Sequence, residues 1–234
     1  MIQYFAPNIA DTLLLPDDEA RHCLRVLRTP VGGCISVVDG KGNRYTCRVC
    51  SSDPRKASVE IVAVENVLPT WRAHLTVAVA PTKNVDRIEW LVEKLTEMGV
   101  DRIVPLLCRH SERKNINTDR LYRIAVAAMK QSLKASLPVI DELTHIADFI
   151  GECNDSQKFV AYCADNVDRK ILARELVPGT ATALMIGPEG DFSIEEVGMA
   201  LSAGFMPVSL GESRLRTETA AMAAAQTFHV INML

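Results

Sequence analysis

Apolar patterning changes character near residue 70. From residue 75 onward, short continuous apolar runs recur: LTVAVA (75–80), RIVPLL (102–107), KFVAYC (158–163), ATALMI (181–186) and MPVSL (206–210). Runs this short and this continuous predict strands buried on both faces. Between them the spacing becomes helical. Ile88, Leu91, Val92, Leu95 and Met98 mark a helix over 86–98 that stops at Gly99. Further helices are expected over 119–134, with Thr118 as cap, over 194–203 and over 217–232. Before residue 68 the runs are β-branched and separated by turn residues: CISVVDG, NRYTCRVC and ASVEIVAVENV, the first two joined by DGKGN, a hairpin connection by composition. One helix precedes them, DDEARHCLRVLR, with Cys23, Leu24 and Leu27 expected inward and Arg21, Arg25 and Arg28 on the opposite side. NVLPTWR (66–72) carries a proline and reads as a linker.

Strands alternating with helices predict a parallel sheet covered on both faces. The expected organisation is therefore a small β-rich domain over 1–70 and an α/β domain over 71–234. In such sheets ligands bind beyond the carboxyl ends of the strands. That directs attention to the loops after 186 and after 210.

Charge sharpens the division. Residues 1–72 hold nine Lys and Arg against eight Asp and Glu, and residues 73–130 hold ten against seven. Residues 131–234 hold seven against fourteen. A polyanionic partner is expected to touch the first 130 residues. The first twenty residues show neither a basic region nor a long apolar run. Seven cysteines without framework spacing suit a reducing compartment. The expectation is a cytoplasmic protein with no membrane span. Cys47 and Cys50 form a lone C-x-x-C on a strand, which sends the thiols to opposite faces, so no metal is expected.

Both strand-end loops are rich in chemistry. Gly187, Pro188, Glu189 and Gly190 follow a fully apolar strand, and Ser193 with Glu196 spells a capping box for the next helix. The second loop, LGESRLRTETAAMAAA (210–225), places Gly211, Arg214, Arg216, Thr217, Glu218 and Thr219 before an alanine-rich helix. Thr217 or Thr219 suffices as a cap. Arg216 opposes the helix dipole, a cost that an anionic or electron-rich ligand would offset. Neither loop matches a dinucleotide fingerprint or a P-loop, which argues against dinucleotide enzymes and NTPases.

IGPEGDFSIEEV followed by LGESRLRTETAAMAAAQ resembles the C-terminal signature of the ribosomal RNA small subunit methyltransferase E family, the 16S rRNA (uracil-N3)-methyltransferases of the SPOUT class. HCLRVLR (22–28) resembles the arginine-bearing motif of the family's PUA-like domain. DRIEWLVEKLTEMGVDRIVPLLCRHSERK (86–114) and AMKQSLKASLP (128–138) resemble further segments, in order. Three positions depart from the family pattern: Gln3 stands where arginine is common, and Lys130 and Lys134 where glutamate and arginine are frequent. PTKNVDR is one residue longer than the common form.

The resemblance implies an N-terminal PUA-like β-barrel domain and a C-terminal SPOUT α/β domain with a trefoil knot, assembled as a homodimer. It implies S-adenosylmethionine as cofactor, held by Leu184, Ile186, Gly187, Pro188, Glu189, Gly190, Leu210, Gly211, Leu215, Arg216, Thr219 and Ala220. The implied reaction methylates N3 of a uridine in 16S rRNA of the small ribosomal subunit. Arg216 is expected to stabilise the deprotonated base, with Glu218 as a general base or as a helix-terminal charge. RNA grip is expected from Arg25, Arg28, Lys83, Arg109, Arg113 and Lys114. Two alternatives remain at this point: methylation of another RNA such as tRNA, and a non-catalytic RNA-binding assembly factor.

Overall fold

The computed structural model describes residues 2–53, 55–163 and 168–234. The chain divides into two compact units. Unit 1 comprises Met1–Pro69 together with Val126–Leu137, and unit 2 comprises Thr70–Ala125 and Pro138–Leu234.

Unit 1 opens with β1 (Gln3–Phe5), α1 (Ile9–Thr12) and α2 (Asp17–Arg21), which runs directly into a π-helical turn over His22–Val26. β2 (Cys34–Val38), β3 (Asn43–Val49) and β4 (Val59–Asn66) follow. The four strands form one sheet in the order β1-β2-β3-β4, with β1 parallel to β2 and the remaining pairs antiparallel. β3 buries every second side chain, among them Tyr45, Cys47 and Val49, against Tyr4, Ile9, Cys23 and Val37. This alternation sends Cys47 inward, while Cys50 lies exposed just past the strand. Cys23 and Leu24 join this core as expected, but Leu27 does not: it is 38% exposed, because the π-turn shifts the residues after Arg21 out of α-helical phase.

The segment 126–137 completes unit 1. Met129 and Ala135 are buried with Val38, and Phe5, Val67 and Leu137 pack against them. The three positions that depart from the family pattern meet here. The Gln3 side-chain amide donates to the Lys134 carbonyl at 2.6 Å, and Lys130 pairs with Glu19. Burial holds the Lys134 ammonium below its ordinary value. Within unit 1 these residues serve packing.

Unit 2 contains β5 (Leu75–Val79), α3 (Val85–Met98), β6 (Arg102–Leu107) and α4 (Thr118–Gln131), whose last residues belong to unit 1. β7 (Val139–Ile140), β8 (Thr144–His145), α5 (Ile146–Glu152), β9 (Gln157–Ala161), β10 (Lys170–Ile171) and α6 (Leu172–Glu175) continue it. β11 (Thr182–Ile186), α7 (Ile194–Ser202), β12 (Met206–Ser209) and α8 (Thr217–Met233) close the chain. The strands form a parallel sheet ordered β10-β12-β9-β11-β5-β6-β7, with β8 paired to β6. β5 and β11 are buried at every position, which is why they read as unbroken apolar runs.

Alternate strand residues feed two layers. Ala78, Val104, Val160 and Met185 pack with Phe149 of α5 and Val197 of α7. α8 lies against α3, β5 and β11. Ala221, Ala224 and Ala225 are fully buried in α8, so much of the alanine run serves packing within the chain. The expected linker is not one throughout: Trp71 is buried, edge-on to Phe228 with ring centroids 5.3 Å apart.

Helix ends show where local chemistry operates. Asn84 caps α3, its side chain accepting from Asp86 N–H at 3.0 Å. Asn117, not Thr118, accepts from the first turn of α4, while the Thr118 hydroxyl donates to Glu142. α4 ends at Gln131 rather than 134, where Leu133 takes a left-handed backbone, φ +56°.

Candidate active site

Three strands of unit 2, β9, β11 and β12, end side by side, and the loops beyond them enclose a cavity of about 340 Å³. Its wall takes Ala161, Tyr162 and Cys163 from the end of β9, and Ile186, Gly187, Pro188, Glu189 and Asp191 from the end of β11. From β12 onward it takes Val208 to Gly211, Ser213 to Thr217, and Ala220, with Arg169 also present.

The loop after β11 is held on every side. Asp191 N–H closes a turn onto the Pro188 carbonyl at 2.9 Å, with Asp191 at φ +62°. The strain of that left-handed carboxylate residue is offset by its own bonds: it accepts from Phe192 N–H at 2.8 Å and from Cys163 N–H at 3.0 Å. Glu189 accepts from Lys83 N–H at 3.0 Å, and the Thr217 hydroxyl donates to the Gly187 carbonyl at 3.0 Å. Gly187 has a steric reason as well, since a Cβ there would meet the Phe192 ring at 3.2 Å. The loop is thus preorganised, with backbone and apolar atoms turned toward the cavity.

Behind the loop, the capping box of α7 is complete. Ser193 accepts from Glu196 N–H, and Glu196 accepts from Ser193 N–H at 2.8 Å. The second Glu196 oxygen accepts from Arg109 N–H at 2.7 Å, tying the β6 loop to this helix. In the last loop, Gly211 sits at φ +125°, a backbone that side-chain-bearing residues rarely adopt. Arg216 is the N-cap residue of α8, but no side chain caps that helix; Thr217, the first helical residue, reaches back to Gly187 instead.

The carboxylates of the wall are engaged with backbone N–H groups, and the Arg169 guanidinium donates to the Tyr162 and Cys163 carbonyls at 3.0 and 2.9 Å. The Arg214 and Arg216 guanidiniums, by contrast, make no hydrogen bond or ion pair among the described residues, so both are available to an anionic or electron-rich ligand. The Cys163 thiol is pushed up by burial and by the Asp191 carboxylate beside it, which keeps it protonated near neutrality.

Of the residues singled out in the sequence, Ile186, Gly187, Pro188, Glu189, Leu210, Gly211, Leu215, Arg216 and Ala220 line the cavity. Leu184 lies one turn of the pleat below, buried in β11, and Gly190 and Thr219 stand outside the wall. Glu218 is also outside it. Its carboxylate is largely buried and lies 3.6 Å from the Arg87 guanidinium of α3. The expectation of a base facing the reaction therefore does not match its position. The β9 end went unnoticed in the sequence, although the strand-end rule that selected the other two loops applied equally to KFVAYC. Arg169, Asp191, Val208, Ser209, Ser213, Arg214 and Thr217 complete the wall.

The expected RNA contacts are dispersed. Lys83 pairs with Glu112 at 2.7 Å and Arg109 with Glu195 at 3.1 Å. The Arg113 guanidinium donates to the Thr82 and Lys83 carbonyls, fastening one strand-end loop to another. Arg25, Arg28 and Lys114 are exposed.

Residues 69–229 match the model of an RNA methyltransferase domain, and residues 15–62 match an RNA methyltransferase PUA domain. The chain belongs to this RNA methyltransferase family. Among solved members, the methyltransferase is similar to a probable rRNA-methyltransferase from Porphyromonas gingivalis, at 44% identity and TM-score 0.95 over 100% of this chain and 99% of that one. It is similar to a ribosomal RNA small subunit methyltransferase E from Neisseria gonorrhoeae, solved bound to S-adenosyl methionine, at 26% identity and TM-score 0.86 over 99% and 98% of the two chains. The ribosomal RNA small subunit methyltransferase E of Aquifex aeolicus is 29% identical over 93% of each chain. No helix among the described residues of the methyltransferase is long and apolar enough to cross a membrane.

Proposed function

We propose that this RNA methyltransferase uses S-adenosylmethionine to methylate N3 of a uridine in 16S rRNA of the small ribosomal subunit. The observation that carries this reading is the cavity, whose wall includes two arginines with guanidiniums unpaired among the described residues. Its residues fit the cofactor: about 340 Å³ lies within the range of small-ligand sites, and Ile186, Leu210, Leu215 and Ala220 offer apolar surface beside fixed backbone groups. When bound, S-adenosylmethionine supplies an activated methyl group.

Uridine N3 becomes nucleophilic once its proton passes to solvent water, and the resulting charge spreads to O2 and O4. A preorganised guanidinium at those oxygens stabilises it, and Arg216 is assigned that role, with Arg214 beside it. Glu218 is assigned a positioning role. Its charge near the first turn of α8 favours the helix dipole and offsets the opposing charge of Arg216, and its Arg87 partner orients it.

Residues 1–70 are proposed as the RNA-binding PUA-like domain, and residues 71–234 as the catalytic SPOUT domain. A trefoil knot is proposed where the loop after β12 meets the loop after β11. The return of the chain from β12, beside β9, to α8 over β11 and β5 supports it. A homodimer is part of the same reading. For RNA grip, Arg25, Arg28 and Lys114 are favoured over Lys83, Arg109 and Arg113, which are engaged within the chain.

The test supplies labelled S-adenosylmethionine and either small subunits or tRNA. Label is expected in 16S rRNA alone. Arg216→Ala is expected to lower the rate by about a hundredfold to a thousandfold, as for loss of one charge-stabilising donor, with rRNA binding largely retained. Unchanged methylation would remove Arg216 from its role, and label in tRNA would redirect the substrate assignment.

A further inference from the structure

We propose that a cleft in unit 1 binds a phosphate of the RNA backbone through Arg25 and Arg55, with Arg21 beside them. The inference rests on the RNA-modifying reading above and adds a contact site to it. The cleft holds about 230 Å³ and is walled by Asp17, Arg21, Arg25 and Arg55. All four lining side chains are charged, and three of them are guanidiniums, whose forks suit a phosphodiester.

The backbone explains the grouping. α2 ends at Arg21 and the π-turn begins at His22, closed by Leu27 N–H onto the His22 carbonyl at 3.0 Å. Arg21 and Arg25 reach the same cleft across that junction. Arg28, the last arginine of the HCLRVLR stretch, takes φ +52° and is not part of the wall. Arg55 replaces it, delivered by the loop between β3 and β4, far away in sequence.

Asp18 pairs with Arg21, while the Arg25 and Arg55 guanidiniums have no hydrogen bond or ion pair among the described residues. Asp17 is the single carboxylate of the wall, and with Arg21 paired to Asp18 it faces the two unpaired guanidiniums of Arg25 and Arg55. Guanidinium forks match phosphate oxygens in bidentate geometry, and a phosphate between them relieves their mutual repulsion.

The experiment titrates salt against binding of the full-length protein to a labelled fragment of 16S rRNA. In R25A/R55A the slope of log K against log salt is expected to flatten by about one, and affinity at low salt to fall about tenfold. R25K/R55K is expected to keep most of the slope. R48A, at an exposed β3 arginine paired with Glu60, is expected to leave it unchanged. S-adenosylmethionine affinity should be equal in all variants. An unchanged slope in R25A/R55A overturns the proposal. So does inorganic phosphate binding to the cleft with the RNA slope unaltered by the substitutions, which marks a free-phosphate site. Failure of the wild type to methylate any RNA would sink the functional reading separately, because the slope is read without turnover.

Discussion

Asp39 illustrates what a single buried charge contributes to this molecule. It is buried where β2 turns into β3, accepting from Lys41 N–H at 2.7 Å, Asn43 N–H at 3.1 Å, the Asn43 amide at 2.8 Å and the Tyr45 hydroxyl at 3.2 Å. Burial alone pushes its carboxyl up, but these four bonds outweigh burial and hold it below the ordinary 3.8. A depressed carboxyl stabilises the fold above its unfolded pKa, and the stabilisation is lost as pH falls through the folded value. Asp39→Asn is therefore expected to lower Tm at neutral pH and to lose part of the Tm decline below about pH 4, as followed by circular dichroism. An unaltered acid limb would show that Asp39 carries no linked proton. The DGKGN composition announced this turn, because glycine and aspartate state their backbone needs locally. Glu218 was not legible in the same way. Which way a side chain at the start of α8 points depends on Arg87 of α3, more than a hundred residues earlier.

The long elements of unit 2 could be read from their apolar periods because each is buried along a whole face or on both. β7, β8 and β10 could not, since two residues carry no period. Among the helices, α7 announced its own start through Ser193 and Glu196, and its capping box does more than end a helix. Glu196 also receives Arg109 N–H, so one carboxylate links α7 to the loop beyond β6. Ser193→Ala removes a single cap bond and is expected to cost about 1 kcal/mol in chemical denaturation. Glu196→Ala should cost more, because it leaves two N–H groups, one from each element, without their acceptor. Equal costs would mean that the Arg109 link adds nothing. α8 contrasts with α7. Its threonines look like caps in the sequence, but Thr217 is used to hold Gly187, so the tether to the loop after β11 took precedence over local capping.

At the scale of the whole chain, the division near residue 70 describes the change in sequence pattern but not all of the packing. Residues 126–131 follow the helical period of α4 without interruption, so nothing local marks where their allegiance changes. What marks it is tertiary. Met129 and Ala135 fill the space beside Val38, while Gly42 N–H donates to the Ala135 carbonyl at 3.0 Å and Leu137 N–H to the Gly40 carbonyl at 2.9 Å. The β2–β3 hairpin thus borrows its outer support from a segment more than ninety residues later. Met129→Ala in the full-length protein deletes a fully buried side chain and is expected to cost about 2–5 kcal/mol. The cost should be local to unit 1. Amide hydrogen exchange is expected to accelerate in β2 and in the 39–43 turn, while β5 and β11 keep their protection. S-adenosylmethionine affinity should stay at the wild-type value, since the cavity wall lies wholly in unit 2. Faster exchange in β11 together with weakened cofactor binding would contradict this, and would mean that Met129 supports the sheet of unit 2 rather than that of unit 1.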